Sequence, residues 1–411
     1  MTNSQRLFYG SCFALITTAL SFSIRAGILP QLGDELSLSA QQLGFINSMW
    51  FLGFPVSMVI GGLIYHKVGG KVIMQFAFLV HALGIILTIY AGSYTVLLIS
   101  TLFIGLGNGC TEAACNPMIA DTYKGIQMSK MMNRFHMWFP GGIVIGSLVS
   151  KFMTDAGMSW QSQIWVIMIP TVLYAYFFFG QKWPRAAVEE AATLKGNVMA
   201  MITPLFLFIF FCMALTAISE FGPQQWVGLI LSKSGAQPMI ILALVTGLMA
   251  VARYFGGEAV HQFNTTGVLL GSAILATIGV FLFSTQTGAM AYVAAIVYAL
   301  GIAYFWPNML GFIAEYVPKS GAIGLSMVGA MGMFSSSIFQ PIIGKWIDSD
   351  RAEMAAQGFT GDELELMAGQ ATLGTMVLFP LILVVLFTGL YLFMRNRKID
   401  PAGSEVDMAS A

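Results

Sequence analysis

The feature that most constrains this chain is its repeated runs of about twenty residues with almost no charge. A helix needs about 20 mostly apolar residues to cross the hydrocarbon core of a bilayer. Twelve such stretches can be read, at 7–30, 42–65, 71–92, 95–120, 133–153, 161–183, 200–223, 236–258, 266–285, 288–314, 322–346 and 372–394. Backbone polar groups inside hydrocarbon must find partners within their own element, so these stretches are expected to be α-helices joined by short loops. Composition agrees: 57% of residues are hydrophobic and 9% charged, against roughly 25% charged in soluble domains. A mean hydropathy of +0.78 overrides the two or three soluble domains that 411 residues would otherwise allow. The expected fold class is therefore all-α integral membrane, with a lipid bilayer as obligatory partner.

The net charge of zero gives no footing for nucleic acid. The four cysteines (Cys12, Cys110, Cys115, Cys212) fall in apolar runs without zinc-like spacing and read as small packing residues. The segment from Leu7 is long enough to span and has no small-residue cleavage site, so it is expected to be the first membrane helix rather than a cleaved leader.

Lys and Arg set the orientation. If both termini share one side, thirteen of the nineteen lie in loops and tails on that side. Four lie opposite (Lys151, Lys233, Lys345, Arg351), and Arg25 and Arg253 fall within helices. The positive-inside rule then makes the termini cytoplasmic. The acidic segment from Asp348 to Glu365 is expected to be a solvated loop outside, between the last two spans.

The chain also repeats itself. His66 after Gly61-Gly62 returns as His261 after Gly256-Gly257, an offset of 195. Ile119-Ala120-Asp121 returns as Ile313-Ala314-Glu315, and Lys151 as Lys345, both at 194; Pro30-Gln31 returns as Pro223-Gln224 at 193. Four matches in one register argue for two parallel six-helix halves. The expected organisation is 1–183, a cytoplasmic linker at 184–198, a second half at 199–394 and a tail at 395–411.

Parallel repeats of this kind resemble the build of major facilitator transporters, whose solute site lies near the midplane between the halves. The loop reading Gly62-Leu-Ile-Tyr-His66-Lys67-Val-Gly69-Gly-Lys71 resembles that superfamily's signature between helices 2 and 3, with His66 where the family usually has Asp. Its glycines are expected to let helices 2 and 11 approach closely. A narrower resemblance lies in the fourth span, Gly105-Leu-Gly107-Asn-Gly109-Cys-Thr-Glu112-Ala-Ala-Cys-Asn116-Pro117. It is similar to the corresponding helix of the fucose–proton symporter family, as is Ile28-Leu29-Pro30-Gln31-Leu32 in the first span. That family's carboxylate in helix 1 falls here at Ala26, preceded by Arg25.

A charge at membrane depth carries a penalty of roughly 2.5–3.5 kcal/mol on insertion scales, so ionisable residues within spans are functional candidates. Glu112 sits centrally in the fourth span, one turn before Asn116 and on the same face. It reads as a proton-coupling or solute-binding carboxylate, or else as the structural partner of Arg25. Arg25 could bond solute hydroxyls, grip a solute carboxylate in bidentate fashion, or serve only as counter-charge to Glu112. In the seventh span Gly222-Pro223 is expected to break the helix and expose backbone to a cavity. Around that break Glu220, Gln224 and Gln225 offer polar groups and Trp226 an aromatic face. An offset of 194 sets Trp306 against Glu112, making Tyr304, Trp306 and Asn308 further lining candidates. Asn47, Trp50, His136 and Trp138 complete the expected lining, and His81 is expected to be peripheral. Asp121 and Glu315, at matched inner helix ends, are expected to pair with loop cations as gate latches, with Arg134, His66 and Lys67 nearby. Arg253 is expected to snorkel or brace the cytoplasmic side.

These readings favour a secondary transporter, in the first place a proton-coupled symporter of a sugar or sugar-like polyol, with sodium as the other coupling ion to consider. The alternative is an organic anion such as a sugar acid, held by Arg25. No metal or organic cofactor is implied. A drug exporter fits less well, because the fifth span keeps only Pro140-Gly141-Gly142 of the antiporter glycine–proline pattern. An enzyme would need a His-rich cluster, a Gly-x-Ser-x-Gly or a phosphate loop, and a sensor a longer tail than follows Asn396. A bacterial inner-membrane location and a monomer are the corresponding expectations.

Overall fold

Hydroxyl caps set the helix starts. Thr2 and Ser39 each accept the backbone N–H three residues on, while Gln5 and Gln42 reach back to the cap, two complete capping boxes. Ser93 and Ser159 cap in the same way without the return bond.

A computed structural model describes residues 1–123, 125–184, 194–254, 256–395, 398–399 and 405–406. In chain order its helices are α1 (Asn3–Leu36), α2 (Ala40–Ile89), α3 (Tyr94–Thr122), α4 (Gly125–His136), α5 (Trp138–Asp155) and α6 (Trp160–Phe178). There follow α7 (Leu194–Met201), α8 (Pro204–Ile230), α9 (Pro238–Tyr254), α10 (Gly256–Thr285), α11 (Ala289–Ile302) and α12 (Phe305–Tyr316). The last three are α13 (Gly321–Ala356), α14 (Gly361–Met376) and α15 (Leu378–Met394), before a two-residue strand pairing of Lys398–Ile399 with Glu405–Val406. Among the described residues, eight helical stretches are long and apolar enough to cross a membrane on these grounds alone.

One of the eight, α2, counts twice, because Gly69 at φ 78° breaks it into a second and a third pass. The shorter helices α4–α5, α6 and α9 supply the rest, giving twelve passes. Asn264 at φ 55° makes the corresponding break in α10, 195 residues after Gly69. Its Oδ1 accepts the Gly267 N–H at 2.8 Å and starts the ninth pass. Gly has no Cβ to obstruct a positive φ and Asn is among the few side chains that tolerate it, so the two halves solve one bend with different residues. The expected linker and tail fall largely outside the described residues, as do the side chains of Lys124, Lys130 and His261.

Three expectations about the elements need correction. The acidic segment 348–365 is not a loop: α13 continues to Ala356, α14 starts at Gly361, and Arg351 Nη2 meets Glu365 Oε2 at 2.6 Å across the turn. Gly222-Pro223 does not break α8, which runs on to Ile230. Pro223 removes the N–H that would serve the Ser219 carbonyl, and the Tyr298 hydroxyl donates there instead at 2.8 Å. The signature's glycines do not bring passes 2 and 11 together: Gly62 and Gly69 have nothing within 4 Å, and Gly70 faces Trp183 and Tyr65. That approach occurs at Gly44, where a Cβ would lie 2.6 Å from Pro341 Cα, and at Gly344, where one would strike the Ala40 carbonyl.

The contacts joining the halves lie away from the termini. They include Gly228 of α8 against Ala26 of α1, Gly27 against Met239, and Asp348 of α13 on the start of α2. On the termini side a separate core, from Leu7 to Phe178, is built from first-half residues alone. Among the described residues, these contacts join the halves on the face away from the termini.

Candidate functional site

The centre of the molecule is organised around Arg25 of α1, which is 5% exposed. Its Nε donates to Asn47 Oδ1 at 2.7 Å and to Gln225 Oε1 at 3.2 Å, and Nη2 donates to the same Gln225 oxygen at 2.6 Å. Asn47 belongs to the second pass and Gln225 to the seventh, so the guanidinium ties the two halves together. Its carbon lies 4.9 Å from the ring centre of Trp50 and 5.9 Å from that of Phe51, within cation–π range. Nη1 has no hydrogen-bond acceptor, and no carboxylate pairs with Arg25 among the described residues.

Glu112 is accordingly not the partner of Arg25. Ser21 of α1 meets Asn108 of α3 at 3.4 Å, and the helices run in opposite directions from that contact. Arg25 lies one turn beyond Ser21 and Glu112 one turn beyond Asn108, so two turns, about 11 Å along the axis, separate them. Glu112 instead accepts from Asn116 Nδ2 at 2.6 Å and is half-buried. The other amide atom, Asn116 Oδ1, is buried without a partner.

The second half contributes Phe221, packed 5.9 Å from Phe22 and 5.6 Å from Phe51, with Trp306 6.1 Å beyond it. Trp306 is half-buried over Gly329 and Gly332; a Cβ on Gly332 would lie 2.9 Å from its ring. Gln340 of α13 reaches Asn47 at 3.5 Å. Gln224 is buried with neither amide atom partnered, beside a cavity of about 20 Å³ lined by Pro223, Tyr298 and Phe283 among others. Trp226 is fully buried and presents no open aromatic face, a correction to its expected role. Asn308 is buried, while Tyr304 donates to the Ala252 carbonyl at 2.8 Å.

Glu220 and Arg253 form a second charged centre. Glu220 is 3% exposed, and Arg253 Nη2 approaches its Oε1 at 3.5 Å. Arg253 Nε donates at 2.9 Å to the Ala303 carbonyl, which lacks its helical donor because residue 307 is proline. Arg253 therefore does not snorkel but stitches passes 7, 8 and 10 together. The remaining candidates are peripheral to this centre. Arg134 and His136 are exposed on α4, and His66 and Lys67 at the end of the second pass. Trp138 packs on the first-half core. Asp121 accepts from Tyr65 at 3.4 Å and Glu315 from Thr265 at 3.4 Å, so both meet hydroxyls at matched ends of their helices.

Sequence reading missed Ser21, Phe22, Phe51, Asn108, Phe221 and Gln340, and judged His81 peripheral although it is fully buried between Tyr174 and Asn108. A serine or phenylalanine in an apolar helix carries no signal of its own. His81 was detectable only as an imidazole at membrane depth.

A family model described as the Major Facilitator Superfamily matches residues 11–341. Over 171 residues the chain is 28% identical to a hexuronate transporter of Bacillus subtilis, a match spanning 41% of this chain and 40% of that one. It is 24% identical over 424 residues to the 3-(3-hydroxy-phenyl)propionate transporter of Escherichia coli, covering 97% of both. Among solved structures, a variant of the nucleoside transporter NupG superposes with a TM-score of 0.78 at 13% identity, covering 95% of this chain and all of that one.

Proposed function

The chain belongs to the Major Facilitator Superfamily, and from that membership we propose that it carries a small organic monoanion, such as a sugar acid or an aromatic carboxylate, by alternating access. It is a secondary transporter and not an enzyme, as its relatives are. Arg25 is the observation that carries the solute reading. A buried cation is costly unless paired, and every acceptor around this one is a neutral amide oxygen. The amides fill the Nε–Nη2 edge of the guanidinium and leave Nη1 unused. A solute carboxylate can bind the Nη1–Nη2 edge end-on, the fork geometry that suits arginine.

Trp306, half-buried, then offers an apolar wall to the body of the solute with Phe221 packed behind it, and the buried amides of Asn47, Gln225 and Gln340 meet its hydroxyls as the centre opens around it. A neutral sugar is the second reading, favoured by those amides, but it leaves Arg25 without an anion. The named solutes of the hexuronate and phenylpropionate relatives also lean toward a carboxylate. Glu112, half-buried with Asn116 at its side, is the proposed proton-coupling group. The likeness of the fourth pass to the fucose–proton symporter family supports that role, and sodium could use the same carboxylate. The bias of Lys and Arg favours a cytoplasmic side for the termini-bearing face, in a bacterial inner membrane and with the protein as a monomer.

The test is uptake into proteoliposomes of hexuronates, hydroxyphenyl propionates and the matching neutral sugars, under imposed proton or sodium gradients. Carboxylated solutes should accumulate and compete with one another, and Arg25→Gln should lower their uptake at least about thirtyfold, the lower bound for losing a buried charge partner. Glu112→Gln should keep exchange but lose proton-driven accumulation. Accumulation of neutral sugars that survives Arg25→Gln would remove the anion reading.

A further inference from the structure

His81 lies in the third pass, away from any solute path, yet its hydrogen bonds lead to the floor of the site. Tyr174 Oη is 3.0 Å from its Nδ1, and Asn108 Oδ1 is 3.0 Å from its Nε2. Asn108 Nδ2 reaches Ser21 Oγ at 3.4 Å, and Trp50 Nε1 donates to the same hydroxyl at 2.8 Å. Ser21 Oγ in turn donates to the Thr18 carbonyl at 2.8 Å.

The inventory of donors fixes every direction in this chain. Indole N–H can only donate, so Ser21 accepts from Trp50 and sends its own proton to Thr18. Asn108 must then present its NH2 to Ser21 and its carbonyl oxygen to His81. His81 therefore carries its proton on Nε2, and Nδ1 accepts from Tyr174. No group in the chain is left unsatisfied, the condition under which a buried network fixes one geometry. The glycine run of the fourth pass makes room for it: a Cβ on Gly107 would collide with the His81 imidazole.

We propose that His81 is a positioning residue for anion recognition, holding Trp50 through Asn108 and Ser21 so that the indole face lies beneath the Arg25 guanidinium. The inference rests on the reading of Arg25 as the solute's cation. Trp50 is wedged between Phe51, Phe54 and Phe22, and its one polar atom is its bond to Ser21. Losing the network lets the indole turn, and the cation loses its platform without losing its charge.

The experiment compares His81→Leu, His81→Gln and Gly107→Ala with Arg25→Gln, measuring KM and maximal rate for a hexuronate and a hydroxyphenyl propionate. Gln can donate to Asn108 and accept from Tyr174 as imidazole does; Leu can do neither, and the added methyl at 107 displaces the ring. His81→Leu and Gly107→Ala should raise KM about tenfold with maximal rate within about twofold, the signature of lost binding rather than lost turnover. His81→Gln should stay within about threefold of the parent KM. If His81→Leu does not fold, Gly107→Ala and His81→Gln still separate the outcomes. A fall in maximal rate at unchanged KM, or a Gln variant as impaired as the disruptive ones, overturns the proposal. If Arg25→Gln abolishes carboxylate uptake while the other variants leave KM alone, only this inference falls. If Arg25→Gln leaves uptake intact, the carboxylate reading falls with it.

Discussion

Asp348 caps helix α2 at Ala40 across the boundary between the halves. Its Oδ1 accepts the Ala40 N–H and its Oδ2 the Gln41 N–H, each at 2.9 Å. The positive end of a helix dipole from one half thus meets a carboxylate from the other on the face away from the termini. Opening that face must break both bonds, and Arg351, 3.9 Å from Asp348 Oδ1, is placed to take the carboxylate over. Asp348→Asn keeps one acceptor and loses the charge, and should weaken closure by about 1 kcal/mol for a partly exposed cap of this kind. Spin labels on the outer ends of the second and eleventh passes would report it as a larger population at long distance. An unchanged distribution would mean that the glycine contacts at 44 and 344 hold the face shut unaided.

Close packing in the first half makes a second prediction. A Cβ on Gly109 would strike the Phe54 carbonyl, and one on Gly105 the Trp50 carbonyl. Backbone atoms cannot rotate aside as a side-chain end can. Gly105→Ala and Gly109→Ala should each destabilise by about 1–3 kcal/mol, the range for overpacking, and lower the unfolding midpoint in detergent. Gly62→Ala, with nothing within 4 Å of its Cβ, is the control and should leave the midpoint alone.

Much of the fold is legible in the sequence because the bilayer leaves few choices. A run of twenty apolar residues must be helical, and each expected span overlaps an observed helix. The repeat is legible in part: the offset read from His66 and His261 is the offset of the two positive-φ breaks, although Gly69 and Asn264 share no identity. The site is less legible. Arg25, Glu112, Glu220 and Gln225 stand out as polar groups in apolar helices, but their pairings do not. That Arg25 turns to amides and Glu220 to Arg253 follows from the helical level and face at which each sits. Level depends on how far each helix has slid along its neighbour, which glycine contacts decide and periodicity does not reveal. The acidic segment 348–365 reads as a loop for a related reason, since Arg351 finds Glu365 only once two helices have turned back on each other.

Proline in the seventh pass leads to a third prediction. Pro223 leaves the Ser219 carbonyl without its helical donor, and the Tyr298 hydroxyl serves both it and the Glu220 carbonyl at 2.8 Å. Tyr298→Phe keeps the ring packed on Phe283 and removes only the hydroxyl. A buried acceptor left unmade costs about 1–3 kcal/mol, so the variant should unfold earlier by that amount. Adding Pro223→Ala returns an N–H to the helix and should recover part of the loss. If Tyr298→Phe is neutral, the two carbonyls are being satisfied by something other than the tyrosine.

The Glu220–Arg253 pair makes the last prediction, and a double-mutant cycle can isolate it. Removing one member of a buried pair leaves the other charge uncompensated at a cost of about 3–5 kcal/mol. Arg253 is a quarter exposed while Glu220 is buried, so the two single variants should not be equal. Arg253→Gln strands a carboxylate that has no other charged partner among the described residues, and should be the more damaging. Glu220→Gln strands a guanidinium that still holds the Ala303 carbonyl and can reach water, and should lose less. The double variant Glu220→Gln, Arg253→Gln contains no stranded charge and should be more stable than Arg253→Gln alone, with a coupling energy of about 1–3 kcal/mol. Thermal unfolding of the four proteins in one detergent measures that term. Additive losses would mean that the two charges meet without depending on each other, and that the bond of Arg253 to the Ala303 carbonyl is its whole contribution.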